Sequence, residues 1–136
     1  MAIDYGDART GIAVSDESAS LTGETWVIPE KSQVVLARAI TAEAAARGVG
    51  VIVVGYPKNM NGTIGQRAGK SELLAEYLRG QCDIDVVLWD ERMTTISAHR
   101  ILSDAGRHGK KRKNTVDAVA ASLILESYLQ YINCNN

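Results

Sequence analysis

The chain has 136 residues, of which 46% are hydrophobic and 23% charged, and it contains only two prolines. This composition is typical of a globular domain with its own core and excludes a disordered or collagen-like chain. Fifteen Lys and Arg residues against sixteen Asp and Glu residues leave a net charge of -1, which excludes a protein drawn as a whole to nucleic acid or anionic membranes. We therefore expect one domain over residues 1–136, with any affinity for polyanions confined to a local surface.

No apolar run approaches the roughly 18 residues that a membrane-spanning helix needs, and a predicted strand begins at Ala2, which leaves no room for a signal peptide. The sequence therefore predicts a cytoplasmic protein without a membrane partner. Cys82 and Cys134 lie far apart, and His99 and His108 form no Cys/His cluster with them. We expect two reduced thiols and no zinc site.

Three short strands begin the chain, separated by glycines and polar turns: Ala2–Tyr5, Gly11–Ser15 and Ala19–Ile28. Ser32 is placed to cap a helix that runs to about Arg47, and Gly48 is placed to end it. The nearly continuous apolar run Val49–Gly55 is typical of a central parallel strand that is covered on both faces.

The second half of the chain alternates helices with a strand. After a polar loop, a helix over Arg67–Arg79 is predicted to stop at Gly80, and the strand Asp85–Asp90 follows. A helix over about Thr94–Ala105, a basic segment and a last helix from Thr115 to about Tyr131 complete the order βββαβαβαα. Three antiparallel strands followed by strand–helix alternation predict an α/β domain with a mixed five-stranded sheet flanked by helices.

An acidic residue, Asp4, lies inside the first predicted strand, directly before the turn that leads to Gly11. A carboxylate in a core strand is costly unless a cation meets it. Asp4 is therefore a candidate functional residue, and the structural alternative is an acid that pairs with Arg9.

Further acids occur at the end of the last strand and in the last helix. Asp90 and Glu91 close the strand, at the edge where α/β sheets bind ligands. Because side chains alternate between faces, only one of the two can point with Asp4, and we expect Glu91, with Asp90 as the substitute. Asp117 begins an otherwise apolar row of the last helix that is predicted to face the sheet. Its structural alternative is an acid in the first turn of a helix capped by Asn114.

Converging acids repel one another and stay ionised only around a cation. Oxygen ligands without histidine favour Mg²⁺ or Mn²⁺, ions that polarise phosphates and activate water for phosphodiester hydrolysis. Asp4, Glu91 and Asp117 therefore predict a metal-dependent nuclease.

Positive charge is concentrated before the last helix. Residues 107–113 hold five of the fifteen basic residues, and the rest of the chain carries ten against sixteen acidic ones. We expect this segment to be an exposed loop that binds a nucleic-acid backbone next to Asp117, and the alternative is a solvated run of charge. Its basic residues are Arg107, Lys110, Lys111, Arg112 and Lys113.

Two other patterns are similar to phosphate-binding motifs. The stretch from Gly65 to Ser71 resembles a Walker A loop, but three residues separate its glycines where the motif needs four, so we reject that interpretation. Asp4-Tyr5-Gly6 with Gly11 is similar to the phosphate-binding hairpin of actin-like and sugar kinases. Those enzymes clamp ATP between two lobes, and this chain is long enough for one.

Four segments, taken together and in this order, resemble the YqgF/RuvX family of Holliday junction resolvase-like proteins: IDYGDARTGIAVSD, VVGYPKNMNGT, LWDERMTT and KKRKNTVDAVAASLILESYL. The resemblance spans nearly the whole chain and implies a ribonuclease H-like fold. It also implies a metal-dependent nuclease, proposed to mature the 5′ end of pre-16S ribosomal RNA and to act on branched DNA. The family's acidic positions fall at Asp4, Glu91 and Asp117.

The resemblance has one departure. Resolvases of the RuvC type carry an acid at the end of the fourth strand, where this chain reads Val54-Gly55-Tyr56-Pro57. A site with one metal ion and a site with two are therefore both alternatives here. The loop of residues 58–63 matches the family, and we expect Asn59 to contact nucleic acid or shape the rim of the site, with a simple Asn-Gly turn as the alternative. Arg9 and Arg92 are further candidates for phosphate contacts.

Two other functions stay open at this point: a non-catalytic nucleic-acid or ribosome-associated binding module and, less favoured, a kinase-like ATP-binding domain. Phosphate contacts carry no information on whether the partner is RNA or DNA. A resolvase needs two active sites across a two-fold junction, so monomer and homodimer are both open.

Overall fold

The computed structural model describes residues 1–16, 18–19, 22–57, 65–90 and 109–134, with backbone alone for residues 109–117 and 134. Five strands and three helices fall in these ranges: β1 Ala2–Asp4, β2 Thr10–Ser15, β3 Thr22–Ile28, α1 Gln33–Ala46, β4 Val51–Tyr56, α2 Gln66–Gln81, β5 Asp85–Asp90 and α3 Gly109–Cys134. The predicted helix Thr94–Ala105 lies outside them. No helix in these ranges has both the length and the apolar character that crossing a membrane requires.

The five strands form one sheet in the order β3-β2-β1-β4-β5. β1, β2 and β3 pair antiparallel, whereas β4 lies parallel to β1 and β5 lies parallel to β4. This arrangement confirms the predicted mixed sheet. Because β1, β4 and β5 run in the same direction, their last residues share one border of the sheet, which we call the carboxyl edge: Asp4, Tyr56 and Asp90.

Helices cover both faces of the sheet, and the central strands bury alternate residues on each side. Ile3 and Val54 pack towards α1 and α2, in a cluster with Leu36, Ile40, Leu74 and Leu78. The neighbouring residues Ala2 and Val53 pack towards α3, in a cluster with Ala121, Ile124 and Leu125. Small side chains at this second interface allow α3 to approach the sheet closely.

The predicted ends of α1 are confirmed, and one predicted end of α2 is wrong. The Ser32 hydroxyl accepts a hydrogen bond from the Val35 N–H at 3.4 Å, and Gly48 has a φ of 67°, in the left-handed region that favours glycine. α2 instead continues through Gly80 to Gln81. The Gln81 side chain contacts Thr41 of α1 at 3.4 Å, so contact between the helices opposes termination at the glycine.

Two predicted strand starts and one helix start also need correction. β3 begins at Thr22 instead of Ala19, because Ala19 lies in a turn with a φ of 55°, and β4 begins at Val51 instead of Val49. α3 begins at Gly109, six residues before the predicted Thr115. Lys110–Lys113 are therefore helical and do not form the predicted loop, as the high helix propensity of Lys and Arg allows.

Candidate functional site

Asp4 is the last residue of β1, and its side chain is on the α3 side of the sheet. Its neighbours Ile3 and Tyr5 belong to the cluster under α1 and α2, and strand alternation turns Asp4 to the other face, with Ala2. Asp4 as a whole residue is half-buried. The fold thus brings an acid to the carboxyl edge, facing the helix that carries Asp117.

The end of β5 separates the two candidate acids of that strand. Val86 and Leu88 pack on the α1 and α2 side and Trp89 packs on the α3 side, so alternation assigns Asp90 to the face opposite to Asp4. This face counts against Asp90 as the partner acid of Asp4. Glu91, which the sequence predicts for that role, and Arg92 lie outside the described residues.

The carboxyl half of α3 contacts Trp89 near the end of β5 and also reaches the amino ends of β1 and β4. Leu125 and Leu129 line the same cavity as Met1 and Val51, at the amino ends of β1 and β4. Asp117 lies one turn before Ala121 in α3, a rise of about 6 Å. Ala121 packs in the same cluster as Ala2, which lies two residues before Asp4 in β1.

The structural explanation for Asp117 is wrong. It required a helix capped by Asn114, but α3 begins at Gly109 and contains Asn114 in its interior. Asp117 is consequently too far from the helix start to cap it or to interact with the first-turn dipole. Its position on the row of Ala121, Ile124 and Leu125, which pack on the sheet, is consistent with the functional interpretation.

The chemistry of the acids fits a hard divalent cation. Carboxylate oxygens are ligands for Mg²⁺ and Mn²⁺, and the half-buried position of Asp4 strengthens its interaction with a cation. Among the side chains that the structure describes, no three Asp, Glu, His or Cys groups come together as a metal site. Of the three proposed ligands, only Asp4 belongs to that set, so the ligand set stays a prediction.

Trp89 packs the end of β5 against α3. Its indole N–H donates to the Ser127 hydroxyl at 3.2 Å, and its ring meets the ring of Tyr128 edge-on at a centroid distance of 5.4 Å. Such an aromatic pair contributes about 1 kcal/mol beyond its burial. The contacts fix α3 relative to the strand that leads into residue 91.

The turn from β1 to β2, residues 5–9, follows Asp4 and is tightly built. The Gly6 N–H donates to the hydroxyl of the buried Thr10 at 3.4 Å. A Cβ atom on Gly6 would lie 2.2 Å from the carbonyl oxygen of Arg9, which requires glycine at this position. The close approach holds the turn, and with it the end of β1, in one place.

Two cations of α2 contact this turn, and neither is among the site residues predicted from the sequence. An Arg67 guanidinium N–H donates to the Tyr5 carbonyl at 3.2 Å, and Lys70 forms an ion pair with Asp7 at 2.9 Å. The hydrogen bond from Lys70 holds the pKa of the Asp7 carboxyl below its ordinary value. A helix that follows a parallel strand begins at the carboxyl end of that strand, and this topological rule could have placed both residues here.

The end of β4 carries no carboxylate and is held by an acid of α2. The buried Tyr56 hydroxyl donates to the Glu72 carboxylate, and this hydrogen bond raises the pKa of the phenol. Arg9 is half-buried in the β1–β2 turn. Asn59 and Arg107, also predicted to contact nucleic acid, lie outside the described residues.

A cavity of about 450 Å³ opens at the border opposite the carboxyl edge, lined by Met1, Ser15, Val51 and Leu129 among others. It lies at the amino ends of β1 and β4, and Asp4 does not line it. The candidate site at the carboxyl edge is therefore separate from this cavity.

Comparison with known proteins identifies the family. The family described as "RuvX: Holliday junction resolvase" matches residues 1–131. The chain belongs to the RuvX family. A relative from Halothermothrix orenii named "Putative pre-16S rRNA nuclease" is 41% identical over 133 residues, covering 98% of this chain and 95% of the relative. A relative of the same name from Geobacillus thermodenitrificans is 44% identical over 131 residues, covering 95% of each chain.

Solved structures confirm the ribonuclease H-like fold of this RuvX member. The Fowlpox virus resolvase, crystallised with its substrate Holliday junction DNA, aligns with a TM-score of 0.54 at 9% identity, covering 96% of this chain and 95% of the resolvase. Thermus thermophilus RuvC aligns with a TM-score of 0.50 at 14% identity, covering 96% of this chain and 94% of RuvC. At these identities the likeness shows the fold, and the family match confirms the prediction of a nuclease over that of an ATP-binding domain.

Proposed function

We propose that this RuvX protein is a metal-dependent endonuclease whose Asp4, Glu91 and Asp117 hold Mg²⁺ or Mn²⁺ at the carboxyl edge. The observation that carries the proposal is the position of Asp4. Asp4 ends β1 half-buried, on the sheet face covered by α3, the helix that carries Asp117. Nucleases of the RuvC and ribonuclease H-like fold generally use divalent metals, and the oxygen-only donor set agrees with that.

The three acids belong to different parts of the chain. Asp4 directly precedes the β1–β2 turn with its glycine, Glu91 follows the last residue of β5 in the sequence, and Asp117 lies in α3, which packs on the sheet. A bound divalent ion would polarise the phosphate and activate water. Asp4, Glu91 and Asp117 would hold that ion, and their fixed positions on the fold would keep the reacting groups in one geometry.

The substrate that we propose is structured nucleic acid, as the 5′ leader of pre-16S ribosomal RNA or as a four-way DNA junction. The first follows the names of the curated relatives, and the second follows the description of the family. Lys110–Lys113, in the first turns of α3, would hold the phosphate backbone next to Asp117. These contacts give affinity without sequence preference.

The test is cleavage of labelled substrates by the wild type and by Asp4→Asn, with Mg²⁺ or Mn²⁺. The panel holds the pre-16S leader, single strands, duplexes and a four-way junction. Asp85→Asn is the matched control, because Asp85 is an exposed acid at the other end of the sheet, where β5 begins. We expect Asp4→Asn to lose at least about 100-fold in rate, as removal of one electrostatic contributor typically does, and Asp85→Asn to keep full activity.

The outcomes separate the two functions that the sequence left open. Loss of cleavage in Asp4→Asn alone supports the nuclease site and identifies the substrate. Full metal-dependent cleavage by Asp4→Asn refutes the assignment of Asp4. If neither protein cleaves any substrate but both bind nucleic acid with the same salt dependence, the chain is a binding module instead.

A further inference from the structure

We propose that Arg67 is a phosphate-binding residue that holds the nucleic-acid backbone on the α2 side of the carboxyl edge, across from Lys110–Lys113. The inference rests on the proposed function and deepens it. Its basis is the hydrogen bond of 3.2 Å from the Arg67 guanidinium to the carbonyl oxygen of Tyr5, the residue that directly follows Asp4.

This hydrogen bond places a positive charge close to the candidate metal ligand. Because Tyr5 directly follows Asp4 in the chain, the guanidinium lies at the carboxyl edge, on the side of α2. Asp4, Glu91 and Asp117 together repel a phosphate backbone until cations offset their charge. An arginine at this position would bind a phosphate close to the one that is cleaved.

Arg67 keeps both its charge and most of its donors for a ligand. Arginine has five N–H donors, and only one of its hydrogen bonds, to an uncharged carbonyl, is present among the described residues. Within the same described part of the chain, its guanidinium forms no ion pair, and the residue is exposed. Guanidinium groups bind phosphate in a bidentate manner, for which these remaining donors are suited.

Lys70, one turn further along α2, is less suited to the same role. Its ammonium is paired with Asp7 at 2.9 Å, and this hydrogen bond raises the pKa of Lys70. Binding a phosphate would compete with that carboxylate. In contrast, the tether to Tyr5 orients Arg67 before a ligand arrives, which reduces the conformational entropy lost on binding.

The test is the salt dependence of binding to a fluorescent four-way DNA junction, followed by anisotropy in a chelator so that no cleavage occurs. Each phosphate contact contributes about 0.9 to the slope of log affinity against log salt, which is about 3.5-fold in affinity between about 50 and 200 mM salt. We expect the slope of Arg67→Gln to be smaller than that of the wild type by about 0.9, and the slope of Arg67→Lys to match the wild type. Arg38→Gln is the matched control, because Arg38 is exposed in the middle of α1, away from the edge.

A wild-type slope in folded Arg67→Gln would overturn the proposal, as would an equal loss in Arg38→Gln. A second measurement on the wild type covers the case in which Arg67→Gln does not fold. Phenylglyoxal modification, read by mass spectrometry, should be slower at Arg67 in the presence of the junction and unchanged at Arg38. Equal modification of Arg67 with and without the junction would refute the contact.

These measurements do not depend on cleavage, so the two proposals fail separately. A reduced slope in Arg67→Gln, together with a wild type that cleaves nothing, leaves the phosphate contact standing and the nuclease refuted. An unchanged slope in Arg67→Gln, together with cleavage that Asp4→Asn abolishes, refutes the phosphate contact and supports the nuclease.

Discussion

Replacement of Gly6 by alanine tests whether the β1–β2 turn positions the candidate site. The new Cβ atom would lie 2.2 Å from the Arg9 carbonyl oxygen, and such contacts have to open to at least 3.0 Å. The neighbour is main chain, so relief requires a shift of the turn by most of an ångström, two residues after Asp4. Such forced shifts cost about 1–3 kcal/mol of stability, or about 4 °C in melting temperature for each kcal/mol.

The matched control is the same substitution in a helix. A Cβ atom on Gly69, in α2, meets nothing within 4 Å, and alanine favours the helical conformation. Gly69→Ala should therefore stabilise the protein by about 0.5–1 kcal/mol. The two variants add the same methyl group and should move the melting temperature in opposite directions.

The functional readout follows from the position of the turn. A misplacement of about 1 Å at a catalytic centre costs about 100-fold in rate, so Gly6→Ala should weaken Mn²⁺ binding, measured by calorimetry, and slow cleavage by about that factor. Gly69→Ala should match the wild type in both assays. If Gly6→Ala has the melting temperature of the wild type and binds Mn²⁺ with wild-type affinity, the turn does not position Asp4.

Three other predictions concern charge. In a chelator, Asp4→Asn should melt at or above the wild-type temperature, because repulsion between like charges is removed. With Mg²⁺ at 100 times its Kd, the free energy of unfolding should rise by about 2.7 kcal/mol in the wild type and not in Asp4→Asn. A lower melting temperature for Asp4→Asn, with no rise in the wild type, would indicate a structural acid. Replacing all four residues Lys110–Lys113 by glutamine should lower the salt slope of junction binding by about 0.9 for each lost phosphate contact. The melting temperature should not fall, because the helix dipole disfavours cations in a first turn. An unchanged slope would exclude the segment from binding. The hydrogen bond from Arg47 holds the pKa of Glu24 below its ordinary value of 4.5, so the pair stabilises the fold above that pH and loses its effect as the pH falls through the lowered pKa. The free energy of unfolding, measured with denaturant, should decline less for Glu24→Gln than for the wild type between about pH 5 and pH 3. An equal decline in the two proteins would contradict this prediction.

The sequence predicted element ends well where local chemistry determines them. Ser32 and Gly48 act through groups within a few residues, so their effect on α1 is readable from the sequence. Gly80 did not end α2, because the termination also depends on contacts with α1, which are distant in the chain. The charge of the basic run before residue 115 predicts an exposed loop, but the run is helical, because Lys and Arg are good helix formers.

The candidate site shows a similar division between local and global information. Asp4 stands out in the sequence because a carboxylate in a core strand is unusual, and strand alternation was enough to favour Glu91 over Asp90. Arg67 had no such signal, since a cation in the first turn of an amphipathic helix is ordinary. Its significance arises from the pairing of β4 with β1, which brings the start of α2 next to Tyr5.

The topology also explains how a chain with a net charge of -1 can bind a polyanion. β4 leads into α2 at the carboxyl edge, so Arg67 and Lys70 lie on one side of Asp4. The proposed function adds a second source of positive charge, Lys110–Lys113 in the first turns of α3. We therefore expect a backbone that crosses the edge to meet cations from both helices. The local positions of these cations, rather than the net charge of the chain, are what the proposed nucleic-acid binding depends on.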